Sequence, residues 1–414
     1  MKILVVGKGG REHALVRALS ESPGRPEIHC FPGSDAIFEL ANPVPADGLE
    51  SLVEWMKSNG TELCIAGEES YLVTGEGLAN LCARAGIPCW GPPKVSAQLE
   101  ASKEFAKEFL LRNSIPTAAA ASTSSFDEAV AAIAGNFPTV LKFDGLAAGK
   151  GVAVCPDRAS AIAFLDEVFV AKRFGEGRVL VEEFLTGPEV SIFAAIVDDK
   201  YLILTPARDY KRALDGDFGP NTGGMGAVAG RNLVTPEMMA RIEREIVRPT
   251  VAGLQREGLP YRGFLYFGLM LTPTGPQVIE YNCRFGDPEC QAVMPLIEGD
   301  LAGFCMAGAR GELRQDLIHF SDGWSVCVVL ASAGYPESSR SGDKISGVKG
   351  ITGARVYHSG TRLDGDWQTN GGRVLAVVAG GVSREEAVSK AHAAADGIHF
   401  DGLQRRRDIG ILNF

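Results

Sequence analysis

The rhythm of apolar and polar positions changes several times along the chain. At the start, KILVVG (2–7) is a continuous apolar run of strand length, and REHALVRALSES (11–22) spaces its apolar residues for one helix face. EIHCF and ELCIAG are again strand-like, and LANLCARAG is helical up to Gly86. Strands alternating with helices in this way predict βαβ units and a parallel sheet. The proline-rich IPCWGPPK (87–94) breaks the alternation and marks a boundary.

A new rhythm follows. ASKEFAKEFLLRN (101–113) predicts an amphipathic helix. TVLKFD, GVAVC and RVLVEEFL predict strands, with the helix DRASAIAFLDEVF between the second and third. VSIFAAIVDDKYLIL predicts a hairpin turning at Asp198–Asp199. Residues 207–230 are poor in large apolar side chains and rich in glycine, so the pattern predicts a loop. A long helix (TPEMMARIEREIVRPTVAGLQREG), two strands (GFLYFGLML and QVIEYN) and a helix after Asp300 come next. Near residue 322 a smaller α+β pattern begins, with strands WSVCVVLA, ARVYHSG and RVLAVVAGG and the helix SREEAVSKAHAAADG. The division expected is 1–95, 96–320 with 115–185 as a flap, and 321–414.

At 414 residues the chain exceeds one small core, which agrees with several domains. The net charge of −10 argues against a nucleic-acid partner, which needs a basic face. Anions must then be met by local lysines, backbone N–H groups or a metal. The nine cysteines show no CxxC and no zinc-type spacing with histidine, so buried free thiols in a reducing cytoplasm are expected. No apolar run approaches the ~18–20 residues of a membrane span, and glycines end the first run too early for a secretory leader.

Six stretches carry chemistry. GKGGREH (7–13) follows a strand and opens a helix, where backbone N–H groups can face an anion. A dinucleotide fingerprint fails there, because Glu12 stands where the third glycine belongs and no acid ends the second strand. A sugar-phosphate seat using Gly9, Gly10, Arg11 and Glu12, or a plain tight turn, remains. KFDGLAAGKG (142–151) supplies Lys142 and Lys150 among glycines. It is not a P-loop, since Gly151 follows the lysine where Ser or Thr is required. A phosphate-covering flap and a flexible hairpin both fit it. VEEFLTGPEV (181–190) is either a solvated edge or a nucleotide seat, in which backbone pairs with a base and a carboxylate accepts from ribose hydroxyls. RDYKR (208–212) and GPNTGGMGA (219–227) together suggest the wall of a polar site.

The sixth is VIEYNCRFGDPE (278–289). On a strand, Glu280 and Asn282 share a face, and their oxygens suit a hard cation such as Mg2+. Arg284 stands beyond the strand end, positioned to meet a phosphoryl group or a carboxylate. Asp287 and Glu289 are candidates to receive an amine. A salt-bridged strand end is the plain alternative.

Taken together, GKGGREHAL, QLEASKEFAKEFL, DGLAAGKGV, GPNTGGMGA, GFLYFGLM, EYNCRFGDPE and TNGGRVLAV resemble the ATP-grasp superfamily and, within it, the phosphoribosylamine–glycine ligases. The motifs span nearly the whole chain in the family's order. The resemblance implies an ATP-grasp fold, α/β and α+β in character, with a Rossmann-like N-terminal domain and a small C-terminal α+β domain. It implies ATP between flap and central sheet, with Lys103, Lys142 and Lys150 at its phosphates. Glu182, Glu183, Phe184 and Leu185 would form the adenine hinge, Glu189 would take the ribose, and Arg212 and Asn221 would lie near the phosphates. Glu280 and Asn282 would hold Mg2+ or Mn2+. Arg284, Asp209 and Asp287 are the catalytic candidates; Thr222, Gly223, Met225, Pro288 and Glu289 join the glycine-rich start as substrate-facing ones. The implied reaction joins glycine to 5-phosphoribosylamine through glycyl phosphate, in a monomer or weak dimer; another acid or amine in a related ligase is the alternative. Three departures stand out: GEESYL (67–72) replaces Gly-Pro-Glu-Ala-Pro-Leu, Tyr210 replaces a histidine, and Ser34 follows Pro-Gly in place of asparagine.

Overall fold

The computed structural model describes residues 1–145 and 151–411. The first apolar runs become β1 (Lys2–Gly7), β2 (Glu27–Pro32), β3 (Asn42–Pro43), β4 (Leu63–Ala66) and β5 (Cys89–Trp90), with helix α1 (Gly10–Ser20) after β1 and α2 (Leu78–Ala85) before β5. They form one parallel sheet in the order β3-β2-β1-β4-β5. Gly86, at φ 71°, closes α2 in the left-handed conformation that glycine adopts without strain.

Helix α3 (Lys103–Arg112) begins at Ser102, whose hydroxyl accepts from Phe105 N and caps it. Strands β6 (Ala120–Thr123), β7 (Thr139–Phe143), β8 (Val152–Cys155) and β9 (Val179–Glu183) make a four-stranded sheet of their own, in the order β6-β9-β7-β8.

The large sheet gathers most of the rest. Its early strands are β10 (Glu189–Val197), β11 (Lys200–Ile203) and β12 (Ala207–Asp209), and the ribbon β13 (Arg212–Leu214) and β14 (Phe218–Asn221) stands off it. Then come β15 (Gly226–Gly230), β16 (Arg262–Thr272) and β17 (Gly275–Asn282), helix α4 (Leu301–Ala309), and strands β18 (Trp324–Ala331), β19 (Arg355–His358) and β20 (Arg373–Gly381), followed by helix α5 (Arg384–Asp396). The order is β17-β16-β10-β12-β15-β18-β20-β19, with β11 on β10. Both faces are covered. Ile192, Ala194 and Ile196 point into one core, and Phe193, Ala195 and Val197 into the other. A strand buried on both sides reads as an unbroken apolar run, which is why the sequence showed it plainly.

Two expectations change. Residues 207–230 are not one loop, because β12 and β15 are central strands of the sheet. The three long strands of 321–414 do not form a separate sheet, because β18 pairs with β15 and continues the central one.

The N-terminal sheet docks through its last strand. Trp90 is fully buried, edge-on to Phe264 and Phe304, and Gly91 N donates to Arg262 O at 2.8 Å. A Cβ on Gly308 of α4 would lie 2.2 Å from the Trp90 ring. The indole is held on both sides, so Gly308→Ala should destabilise the protein by about 1–3 kcal/mol through overpacking. Denaturant unfolding checks this; an unchanged midpoint would mean the ring can move aside.

Candidate active site

The cleft between the four-stranded sheet and the central sheet is floored by charge. Lys142 of β7 sits at 2.6 Å from Glu182 of β9, and Lys107 of α3 at 3.1 Å from the same carboxylate. All three are buried, with 5–7% of their surface exposed. The two lysines hold the Glu182 carboxyl below its usual range against the opposing effect of burial. Lys142 Nζ also donates to Ile279 O of β17 at 3.0 Å, which ties the flap-side sheet to the strand carrying Glu280. Lys103, four residues before Lys107 on the helix, donates from Nζ to Gly145 O at 2.8 Å, and its backbone N to Asp144 Oδ1 at 2.6 Å. Burial lowers the Lys103 ammonium while Glu280 opposes that shift, so these two charges face each other across the cleft.

Glu280 and Asn282 lie in regular antiparallel register with Gly268 and Tyr266 and share a strand face; Tyr281 faces the other way and bonds Thr250 at 2.7 Å. In the orientation its neighbours require, the Asn282 amide nitrogen donates to Glu100 Oε1 at 2.9 Å, leaving its oxygen turned away from that acid. A carboxylate and an amide oxygen form a hard donor set, suited to Mg2+ or Mn2+ and unsuited to thiophilic metals.

Beside them lies a cluster of acids around one lysine. Lys211 Nζ pairs with Glu189 at 2.6 Å, and Glu289 accepts from Ser191 Oγ at 2.9 Å. Burial pushes Asp209 up to about 8; Lys211 opposes the shift, while Glu289, Glu189 and Glu280 reinforce it. Native Asp209 therefore holds a proton that the unfolded chain releases near its ordinary 3.8. Between those values the unfolded state binds fewer protons, so stability falls as pH rises. Asp209→Asn should flatten this slope in the ligand-free protein. Denaturant midpoints from pH 5 to 8 test it, and an unaltered slope would mean the native carboxyl is ionised throughout.

The glycine-rich start is closed by its own side chain. Gly9 N donates to Glu12 Oε2 at 2.7 Å, and Arg11 Nε to Glu12 Oε1 at 2.7 Å. A Cβ on Gly7 or Gly67 would fall 2.4 or 2.7 Å from Glu12 Cγ. The Glu12 carboxylate thus caps the helix start in the ligand-free protein. Gly10 is a packing point instead: a Cβ there would meet Ser359 Oγ at 2.3 Å. Arg284 meets carboxylates, one of the two kinds of partner its position allowed. Its guanidinium is held by Glu69 at 3.0 Å and Glu100 at 2.7 Å, so it is a buried ion-pair partner.

Arg373, at the start of β20, fastens two of the motifs together. Its Nη1 donates to Gly223 O at 2.6 Å and Asp287 O at 2.8 Å, and its Nη2 pairs with Asp287 at 3.2 Å. Asp287 is therefore already paired. Gly223 N donates to Tyr335 Oη at 2.9 Å. Asn221, Thr222, Gly223, Tyr335 and Arg373 line a cavity of 340 Å³. Met225 does not line it; the side chain is buried in the core. Pro288 packs against Gly224, where a Cβ would lie 2.4 Å from its ring. Arg212 donates to Gly219 O and braces its own ribbon. Glu183 points outward on β9, opposite to Glu182, with Phe184 and Leu185 following it at the surface. The Glu182 side chain belongs to the lysine pair, which corrects its expected place in the hinge. Lys150 lies outside the described residues.

A family profile described as phosphoribosylglycinamide synthetase, N domain, matches residues 1–100; the ATP-grasp (A) domain of the same family matches 101–290, and its C domain 325–411. Curated relatives named phosphoribosylamine–glycine ligase are 44% identical in Allochromatium vinosum and 43% in Streptomyces coelicolor, each covering 99% of this chain and 98% of the relative. The chain belongs to the phosphoribosylglycinamide synthetase family. A crystal structure of phosphoribosylamine–glycine ligase from Thermotoga maritima matches with a TM-score of 0.85 at 33% identity, over 99% of this chain and all of that one. The biotin carboxylase domain of the Hydrogenobacter thermophilus 2-oxoglutarate carboxylase, solved with MgADP, shares the fold at a TM-score of 0.75 and 19% identity, over 97% of this chain and 91% of that one.

Two of the three departures leave the cleft charges in place. GEESYL keeps glutamate at its third position, Glu69, which pairs with Arg284 and Arg11. The Tyr210 ring faces away from the acid cluster: Gly410 N donates to its hydroxyl at 3.0 Å and the Arg406 guanidinium lies over its ring at 5.0 Å. Sequence reasoning missed Lys107, Lys211, Glu69, Glu100 and Arg373. Lys107 carried a local signal in its spacing of four from Lys103 on one helix face, and Lys211 in its place within RDYKR beside Asp209.

Proposed function

We infer that this protein is an ATP-dependent phosphoribosylamine–glycine ligase, which makes glycinamide ribonucleotide in de novo purine biosynthesis. The observation that carries the reading is the meeting of Lys103, Lys142 and Glu280 at the junction of the two sheets, beside the acid cluster of Asp209, Glu189 and Glu289. Phosphate binding needs the first group, and an amine or ammonium needs the second.

In this reading a glycine carboxylate oxygen attacks the γ-phosphorus of ATP, the bond to the β-phosphate oxygen breaks, and ADP leaves. The nitrogen of 5-phosphoribosylamine then attacks the acyl carbon of glycyl phosphate; the C–O bond to phosphate breaks and the nitrogen gives up a proton. Lys142 and Lys103 orient the phosphates and offset charge that grows as the phosphoryl group transfers. Glu280 and Asn282 would hold Mg2+ or Mn2+, which when bound neutralises phosphate oxygens. Glu289 receives the amine proton, and Asp209, protonated in the ligand-free protein, offers the amine its carbonyl oxygen as an acceptor. Arg284 and Asp287, being paired, act by fixing the loop between β17 and the following helix. Glu183, Phe184 and Leu185 offer backbone to the adenine, and Glu189 a carboxylate to the ribose. Acyl phosphates hydrolyse, so closure of the flap over 115–185 protects the intermediate.

All partners in this reading are small molecules, met in the cytoplasm by a monomer or weak dimer. Among the described residues no helix is long and apolar enough to cross a membrane. A coupled ADP-release assay with acid and amine varied independently tests the assignment. ADP release should require glycine and 5-phosphoribosylamine together; release with a different acid or amine would move the protein to another ATP-grasp ligase activity.

A further inference from the structure

Far from the charged cleft, three cysteines of the N-terminal domain converge. Cys64 of β4 stands in register with Cys89 of β5, and Cys82 comes from the helix α2 that leads into β5. Their three sulfurs all lie within 4.8 Å of one another. Nothing in the spacing of 18 and 7 residues announces this; the parallel pairing of β4 with β5 creates it. Cys64 and Cys82 are fully buried, while Cys89 is half-buried and is the member nearest the surface.

We propose that Cys64, Cys82 and Cys89 form a binding site for one thiophilic d10 cation, of the class of Zn2+ or Cu+. Metal–sulfur bonds of about 2.3 Å place sulfurs roughly 3.8–4.0 Å apart around one ion. The three side chains therefore need to draw in by no more than about 1 Å. The donor set is sulfur alone, with no carboxylate or imidazole in the group, which selects a soft cation over Mg2+ or Ca2+. The surroundings favour it as well. Thiols in this apolar core, packed among Leu4, Leu78, Leu81 and Ile87, cannot ionise singly at low cost. A cation entering past Cys89 takes the place of the thiol protons and offsets the thiolate charge. Binding then releases protons, and affinity rises with pH.

The site is separate from the oxygen-donor pair at Glu280 and Asn282, so the two should be distinguishable by the metals they take. Full-length protein, reduced, stripped with a chelator and then reloaded with Zn2+, should retain about one Zn2+ per chain after desalting. Co2+ in its place should give the intense near-ultraviolet absorption of thiolate-to-metal charge transfer. Cys89→Ser and Cys82→Ser should each weaken Zn2+ binding by at least about 100-fold and remove that absorption, since even outer partners of a metal site cost about 10–100-fold. Cys327→Ser, at a buried thiol outside the group, should change neither. Zn2+ should also protect Cys89 from alkylation, a readout available without any substitution. Failure to retain Zn2+, retention unaffected by the double Cys82→Ser and Cys89→Ser change, or alkylation of Cys89 at the same rate with and without Zn2+, overturns the proposal.

Discussion

Replacing Lys142 by alanine should lower kcat/KM for ATP by about 10²–10³-fold, the scale set by removing one charge-stabilising donor from a transition state. The same change should cost stability, because Lys142 is one of two cations flanking the buried Glu182. Breaking a buried pair outright costs about 3–5 kcal/mol, and here Lys107 remains, so the loss belongs at or below the low end. Two effects from one residue must be separated. Lys107→Met supplies the means. It removes the other half of the same pair, a lysine whose ammonium is held by Glu182, Thr117 and Ala118. It should match Lys142→Ala in lost stability while leaving the ATP dependence within a few-fold. If both variants lose stability and neither changes the ATP requirement, Lys142 is only a structural ion-pair partner and the phosphates lie elsewhere.

That comparison also shows what the sequence carried. Strands with bulky apolar residues were legible because β10, β16 and β18 are covered on both faces, so apolar residues follow one another along them without alternation. The strand β15 was not, since GAVAG offers no bulk to read. It is a strand because it is crowded: a Cβ on Gly226 would fall 2.6 Å from Cys327 O, and one on Gly230 2.6 Å from the Trp324 ring. Glycine that signals a turn in isolation here permits close sheet packing. The site divides in the same way. Lys142, Glu280, Asn282 and Asp209 stood out by their place within short motifs. Their partners did not, because pairing is long-range: Arg284 meets Glu69 across 215 residues and Arg373 meets Gly223 across 150. A motif gives the residue type, whereas whether its charge is free or already matched depends on chain separated from it by whole domains. Arg284 and Asp287 are the cases in point.

Glu280 is the residue at which charge and stability should part company. Glu280→Gln keeps shape and one oxygen donor but removes the negative charge. The divalent-metal concentration for half-maximal activity should rise by about 10–100-fold, and kcat should fall by about 10²-fold, as expected when a carboxylate ligand becomes neutral. Stability should move the other way or hold. Glu280 lies among Asp209, Glu189 and Glu289, and its charge helps push Asp209 up. Neutralising it relieves like-charge repulsion that the folded state tolerates for function. The Asp209 pKa should therefore drop below about 8 in the variant, and the pH at which stability has declined should shift down with it. Lys103, which Glu280 helps keep protonated, should titrate lower as well. An inactive protein with an unchanged or higher unfolding midpoint and a raised metal requirement supports the assignment. A metal titration that superposes on that of the wild type would show that the β17 acid serves the electrostatics of the cleft without holding a cation.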